Sequence, residues 1–246
     1  MNNDLAKAGA NVKVIVLCRT DLFDRLPGPN NNKIMQDYAF RLDWTAVHNP
    51  KDAALVQLIN QRASVSLERT VDVFETFLPP TLDPHETEDV RLQLLDHTRR
   101  TPRDLVMLFK NLQDFSGSDR MTANQAFDGL AAYSRDYFVR EIKDEIDGPV
   151  DRGDIDRAFG LFTNVQKRTT NVRELDQAAK KLHYPSSFDL RLILRSLFEC
   201  SAIGNARMSP GSPQPVRFRF KDRYAPFEPL QTIVFHRGLW RGLDLR

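Results

Sequence analysis

Residues 94–115 read LLDHTRRTPRDLVMLFKNLQDF, and the interpretation of this stretch decides the rest. Leu105, Leu108, Phe109, Leu112 and Phe115 recur at i, i+3, i+4, i+7 and i+10, which predicts a helix with one apolar stripe. Its start is marked as well. Thr101 suits a cap, Pro102 fits the first turn, and Asp104 favours the positive end of the helix dipole. Arg99, Arg100 and Arg103 crowd the same end and oppose that dipole. Two readings follow: a solvated basic turn, or a seat for an anion that also takes up free backbone N–H groups.

The 246 residues suffice for one large domain or two small ones, and 41% hydrophobic content supports a core. Charge is unevenly spread. From Asp147 onward there are 17 Lys+Arg and 11 Asp+Glu, against 18 and 22 before it. The C-terminal part is therefore expected to be a basic module. Cys18 and Cys200 lie in apolar segments, as buried thiols of a reducing compartment would. No signal peptide or long apolar run occurs, so a cytoplasmic protein without a membrane partner is expected.

Before the central stretch, VKVIVLC at 12–18 is a continuous β-branched run, suited to a strand buried on both faces of a parallel sheet. Arg19, Thr20 and Asp21 follow it, where such sheets place ligand chemistry. Thr20 or Asp21 also suits capping a short helix, DLFDRL. A short helix over 32–37 and a second strand, AFRLDW, come next. Two strands do not complete a parallel sheet, so this expectation requires a missing N-terminal half or a partner chain. Helices are expected over 51–65, 86–96 and, beyond the central stretch, 122–144. The sequence IDGPVDRGD then reads as a linker.

The last hundred residues predict helices over 153–166, 171–182 and 188–199. A Pro/Gly/Ser loop at 209–215 leads into VRFRFKD, where Val216, Phe218 and Phe220 alternate with Arg217, Arg219 and Lys221. TIVF reads as a final strand and RGLWRGL as a short helix. Three helices, a helix-turn-helix spacing and a hairpin describe a winged helix.

No phosphate-cradling Gly-Lys-Ser/Thr loop, Cys-x-x-Cys pair or Gly-x-Ser-x-Gly elbow is present, and the five histidines lack metal-ligand spacing. A self-contained hydrolase or metalloenzyme has no support here.

The order of strand with polar end, second strand, helical unit with TPRD turn and winged helix resembles the C-terminal half of an AAA+/STAND-type P-loop ATPase. RTPRDLVMLFKNLQDF is similar to the sensor 2 helix of such ATPases, including the bacterial Holliday-junction branch-migration motor. VIVLCRTDLFDRL, LDW, TPRDL and FRFKDRY…HRGL resemble bacterial P-loop ATPases linked to STAND proteins. The resemblance implies an α/β remnant plus a mainly α remainder. Residues 1–50 would be the last strands of the P-loop NTPase core, 51–146 a helical lid, and 147–246 the winged helix. It implies that Arg19 or Thr20 stands at the sensor 1 position and that Arg103 is the sensor 2 arginine. The Walker A loop and Walker B acid are missing. ATP and Mg²⁺ would therefore bind only with a Walker A/B half supplied by other sequence or by a partner or oligomer, and the chain alone would not be catalytic.

Two functional classes follow. In one, the lid and winged helix of an ATPase sense nucleotide and relay its state to a partner. In the other, the winged helix is a DNA-binding module or regulator, with Arg191 and Arg195 on its recognition helix and Arg217 and Arg219 on its wing. Arg207 and Lys221 add charge around that wing. Asp189 and Glu199 on the same helix count against it.

Overall fold

The computed structural model describes residues 5, 7–18, 23, 26–27, 30–40, 42–45, 49–82, 88–117, 120–207 and 215–246. Two compact units divide the chain, Met1–Asp43 and Trp44–Arg246. The first contains α1 (Asn31–Tyr38). Residues 11–18 belong to no helix or strand, and Ile15, Val16 and Leu17 are 76%, 71% and 91% exposed. The expected parallel strands at 12–18 and 40–44 are therefore absent among the described residues. The physical reason is that an extended segment becomes a strand only beside a ladder partner, and apolar runs of this kind are stable only when covered on both faces. Cys18 is likewise exposed rather than buried. Arg19, Thr20 and most of 21–26 lie outside the described residues.

The second unit is mainly helical: α2 (Ala54–Ser66), α3 (Val73–Phe77), α4 (Val90–Leu95), α5 (Pro102–Gln113), α6 (Ala123–Ala132) and α7 (Val139–Ile146). The central stretch forms α5 as its periodicity requires. Thr101 accepts from the Asp104 N–H at 3.1 Å, Pro102 occupies the first turn, and Leu105, Leu108 and Leu112 are buried. Burying side chains of this size contributes about 1.5–3 kcal/mol each. Phe109 meets Phe74 of α3 edge-on, with ring centroids 5.4 Å apart. Helices α6 and α7 are joined without a break by a wide π turn over Tyr133–Phe138. That turn sets Ser134 against the C-terminal segment, where its Oγ donates to the Gly238 carbonyl and accepts from the Gly242 N–H.

The last hundred residues run α8 (Arg152–Val165), β1 (Thr169–Thr170), α9 (Val172–Lys181), α10 (Leu190–Glu199), β2 (Ile203–Ala206), β3 (Thr232–Phe235) and α11 (Arg237–Trp240). The three strands form one antiparallel sheet in the order β1-β3-β2. Thr169 lies opposite Val234, and Ile203 opposite Phe235. VRFRFKD does not form a strand. It touches β2 through a single bridge, Arg217 to Asn205, because the chain turns at 219–222 and Phe218 dips into the core. The sheet is thus closed by TIVF.

The expected boundary at 146/147 does not separate two cores. One hydrophobic cluster runs from Ala53 to Leu245 and crosses that point through Ile142, Ile146, Val150 and Ile155. Gly238 shows how tightly the C-terminal segment is packed. A Cβ there would lie 2.7 Å from the His97 carbonyl oxygen and 2.8 Å from the Phe138 ring, closer than real contacts allow. Among the described residues, no helix is long and apolar enough to cross a membrane.

Candidate functional site

Helix α10 has a buried and an open face. Leu190, Ile193, Leu194, Leu197 and Phe198 point inward, while Arg191, Leu192 and Arg195 stand in solvent. Among the described residues, neither Arg191 nor Arg195 makes an ion pair or hydrogen bond through its side chain, so both charges remain available. The two acids of this helix are otherwise engaged. Asp189 caps it by accepting from the Leu192 N–H at 3.0 Å. Glu199 pairs with Arg219 at 3.2 Å, and Arg219 also donates to the Ala225 carbonyl. Arg219 therefore ties the segment after β2 to α10 rather than standing as a free cation.

The segment between β2 and β3 is anchored by Asn205. Its side chain donates to the Glu228 carbonyl and accepts from the Glu228 N–H at 2.9 Å, while its backbone exchanges two hydrogen bonds with Arg217. Arg217 and Arg207 are exposed. Residues 208–214 of the expected loop lie outside the described residues. Lys221 leans toward Asp96 at 3.7 Å.

The arginines before α5 separate into three roles. Arg99 is nearly buried. Its Nε and backbone N donate to Asp104, its Nη1 to Glu145 at 2.6 Å and, more weakly, to the Cys200 carbonyl at 3.5 Å. Tyr137 adds a hydrogen bond to Asp104 at 2.9 Å. Arg100 pairs with Asp96 at 3.0 Å and donates to the Thr45 carbonyl. The basic crowding at the helix start is thus relieved by the protein's own carboxylates. Arg103 alone of the three is open, 75% exposed, and its one ion pair reaches Glu141 at 3.1 Å. The acids next to it in sequence, Asp96 and Asp104, are taken by Arg100 and Arg99.

Electrostatics follow the geometry. Burial opposes ionisation of Asp104, but Arg99 overrides it and holds the carboxyl below its ordinary range. Burial also pulls on Arg99, and Asp104 with Glu145 outweighs it and raises the guanidinium further. The Cys200 thiol, withdrawn from water beside this network, is pushed up to about 12 and is inert at neutral pH. The Tyr133 hydroxyl is buried without a partner near Asp104.

Sequence reasoning located α10 but missed the Arg99 cluster as a structural centre. The five-residue spacing of Arg99 and Asp104 carries a weak signal. Glu145, from a helix 46 residues away, carries none. No protein-family model, curated protein or solved structure matches this chain.

Proposed function

We propose that residues 152–235 form a winged helix, and that this module binds duplex nucleic acid through the outer face of α10. The element order helix-strand-helix-helix-strand-wing-strand, with the sheet ordered β1-β3-β2, supports the fold. The observation that carries the function is the pair Arg191 and Arg195. They stand one turn apart on an exposed helix face whose two acids are occupied elsewhere. Unneutralised cations on an exposed helix face suit a phosphate backbone, and Arg217 on the wing extends the same charge.

The test is binding of a labelled duplex of roughly 20 base pairs, followed by anisotropy over a salt series. The unsubstituted chain should bind with affinity that falls as salt rises. The Arg191→Ala/Arg195→Ala pair should bind at least about tenfold more weakly, with a salt slope shallower by about two. Equal binding by parent and variant contradicts the proposal.

A second reading rests on Arg103. It is an open arginine in the first turn of a capped, well-anchored helix, as expected of a nucleotide-sensing lid residue in a P-loop ATPase of the AAA+/STAND kind. In that reading α2–α7 are the lid, Arg19 or Thr20 is the other sensing position, and ATP with Mg²⁺ is seated by a Walker A/B half outside this chain. The lid relays nucleotide state through the Arg99 tie to Cys200 in the winged helix. Arg103→Ala should leave thermal stability within about 0.5 kcal/mol, because a pair this exposed contributes little. It should weaken the nucleotide response of an ATPase assembled with the complementary half. An unchanged response in that assembly removes this reading.

A further inference from the structure

A second group of arginines lies at the end of the sheet away from the wing. The wing springs from Ala206 and Thr232, whereas Arg168 immediately precedes Thr169, opposite the Val234–Phe235 end of β3. Its backbone is pinned there, donating to the Arg246 carbonyl and accepting from the Phe235 N–H at 2.9 Å. Its guanidinium lies 4.2 Å over the Trp240 ring. The indole is itself fixed, donating from Nε1 to the Phe235 carbonyl at 2.8 Å. Next to Trp240, Arg241 stacks 4.3 Å over Phe127 of α6. Arg237 lies 5.5 Å from the Trp240 ring centroid and within 4.0 Å of Glu88.

Arg168 and Arg241 are both stacked on an aromatic ring. Among the described residues neither has a carboxylate partner, and the Arg241 side chain makes no hydrogen bond. Asp128 is the acid whose field reaches Arg241, and it forms no ion pair with it. The nearby Asp244 is taken by Gln166 and Arg246. Withdrawal from water, reinforced by the charge of Arg168, draws the Arg241 guanidinium below its ordinary range. Stacking on aromatic rings costs each guanidinium part of its freedom; the Nε of Arg168 donates to the Leu245 carbonyl at 3.4 Å, which leaves its two Nη groups for a ligand. Two preorganised forks with no internal counter-ion suit an anion with several oxygens, and phosphate matches that geometry best.

We propose that Arg168 and Arg241, held on Trp240 and Phe127, form a phosphate-binding site separate from the face of α10. The phosphate comes either from a nucleic-acid backbone or from a small phosphorylated molecule. Trp240 is the natural reporter, because it lies in direct contact with Arg168 and only Trp44 must be silenced.

The experiment uses the full chain carrying Trp44→Phe, titrated at low salt with tripolyphosphate and, separately, with a DNA duplex, while Trp240 emission is followed. The expected result is a saturable change. Adding Arg168→Gln and Arg241→Gln, with the fold checked by circular dichroism, should raise the half-saturating concentration at least tenfold. Adding Arg191→Ala and Arg195→Ala instead should leave the tripolyphosphate response intact. Saturation by tripolyphosphate identifies a small phosphorylated ligand as sufficient, and saturation by duplex alone identifies the backbone. No saturable change with either probe overturns the site. An equal half-saturation in parent and glutamine variant overturns it too, even if duplex binding through α10 persists.

Discussion

Replacing Arg99 by alanine is expected to cost about 3–5 kcal/mol, the scale seen when one partner of a buried ion pair is removed. Asp104 is only 1% exposed, and without Arg99 its carboxylate would keep Tyr137 and the Thr101-capped turn but lose its counter-ion. Glu145 would lose its 2.6 Å partner at the same time. The guanidinium also lies 5.6 Å from the Phe138 ring, so its removal leaves a gap beside the π turn. For a chain of this size the midpoint of thermal unfolding should fall by roughly 6–20 °C. Arg99→Lys should recover only part of the loss, because an ammonium cannot reproduce the fork across Asp104 and Glu145. Scanning calorimetry of the three proteins checks this. A midpoint for Arg99→Ala within about 2 °C of the parent would mean the cluster is not a structural centre.

The second large effect is acid sensitivity centred on His236. This residue is 2% exposed, stacked on Phe138 at 5.0 Å and flanked by Phe218 and Phe220. Its Nδ1 accepts from the Gly238 N–H at 3.0 Å and so caps α11 in the neutral form. Burial pushes it down to about 3, and the neighbouring His97 adds to the shift. His97 is itself lowered to about 4, chiefly by desolvation. Both folded values lie below the unfolded one, near 6.5, so the unfolded chain binds more protons at acid pH. The stabilisation is complete above about pH 6.5 and is lost as pH falls toward 4 for His97 and 3 for His236, at up to about 1.4 kcal/mol per pH unit for each. His236→Asn keeps a capping acceptor but removes the titration. Urea unfolding between pH 7 and 4 should therefore show a clearly shallower loss of stability in His236→Asn. A parent protein equally stable at both ends of that range would contradict the assignment.

Much of the second unit was legible because its signals are local. The Thr101-Pro102 start and the leucine stripe gave α5. The apolar spacing marked α9 and α10 within a few residues of their ends. TIVF was legible as a strand because its alternation matches its half-buried position. What failed depends on partners distant in sequence. VKVIVLC has the composition of a buried strand but no ladder neighbour among the described residues, and composition does not say where a neighbour comes from. VRFRFKD alternates as a wing strand should, yet only Arg217 pairs. The Arg99 cluster draws on α5, α7 and the turn after α10, so no window of sequence contains it. The same holds for the site residues. Arg191, Arg195 and Arg217 stand in solvent, whereas the tie of Arg219 to Glu199 is a tertiary fact.

Hydrogen exchange of the full chain, with and without a saturating DNA duplex, tests the central claim most directly. Binding through the outer face of α10 should slow exchange in Leu190–Glu199 and around Arg217, and leave Leu105–Leu112 of α5 unchanged. Protection confined to other elements, or none in α10 at a duplex concentration that saturates binding, would contradict the account.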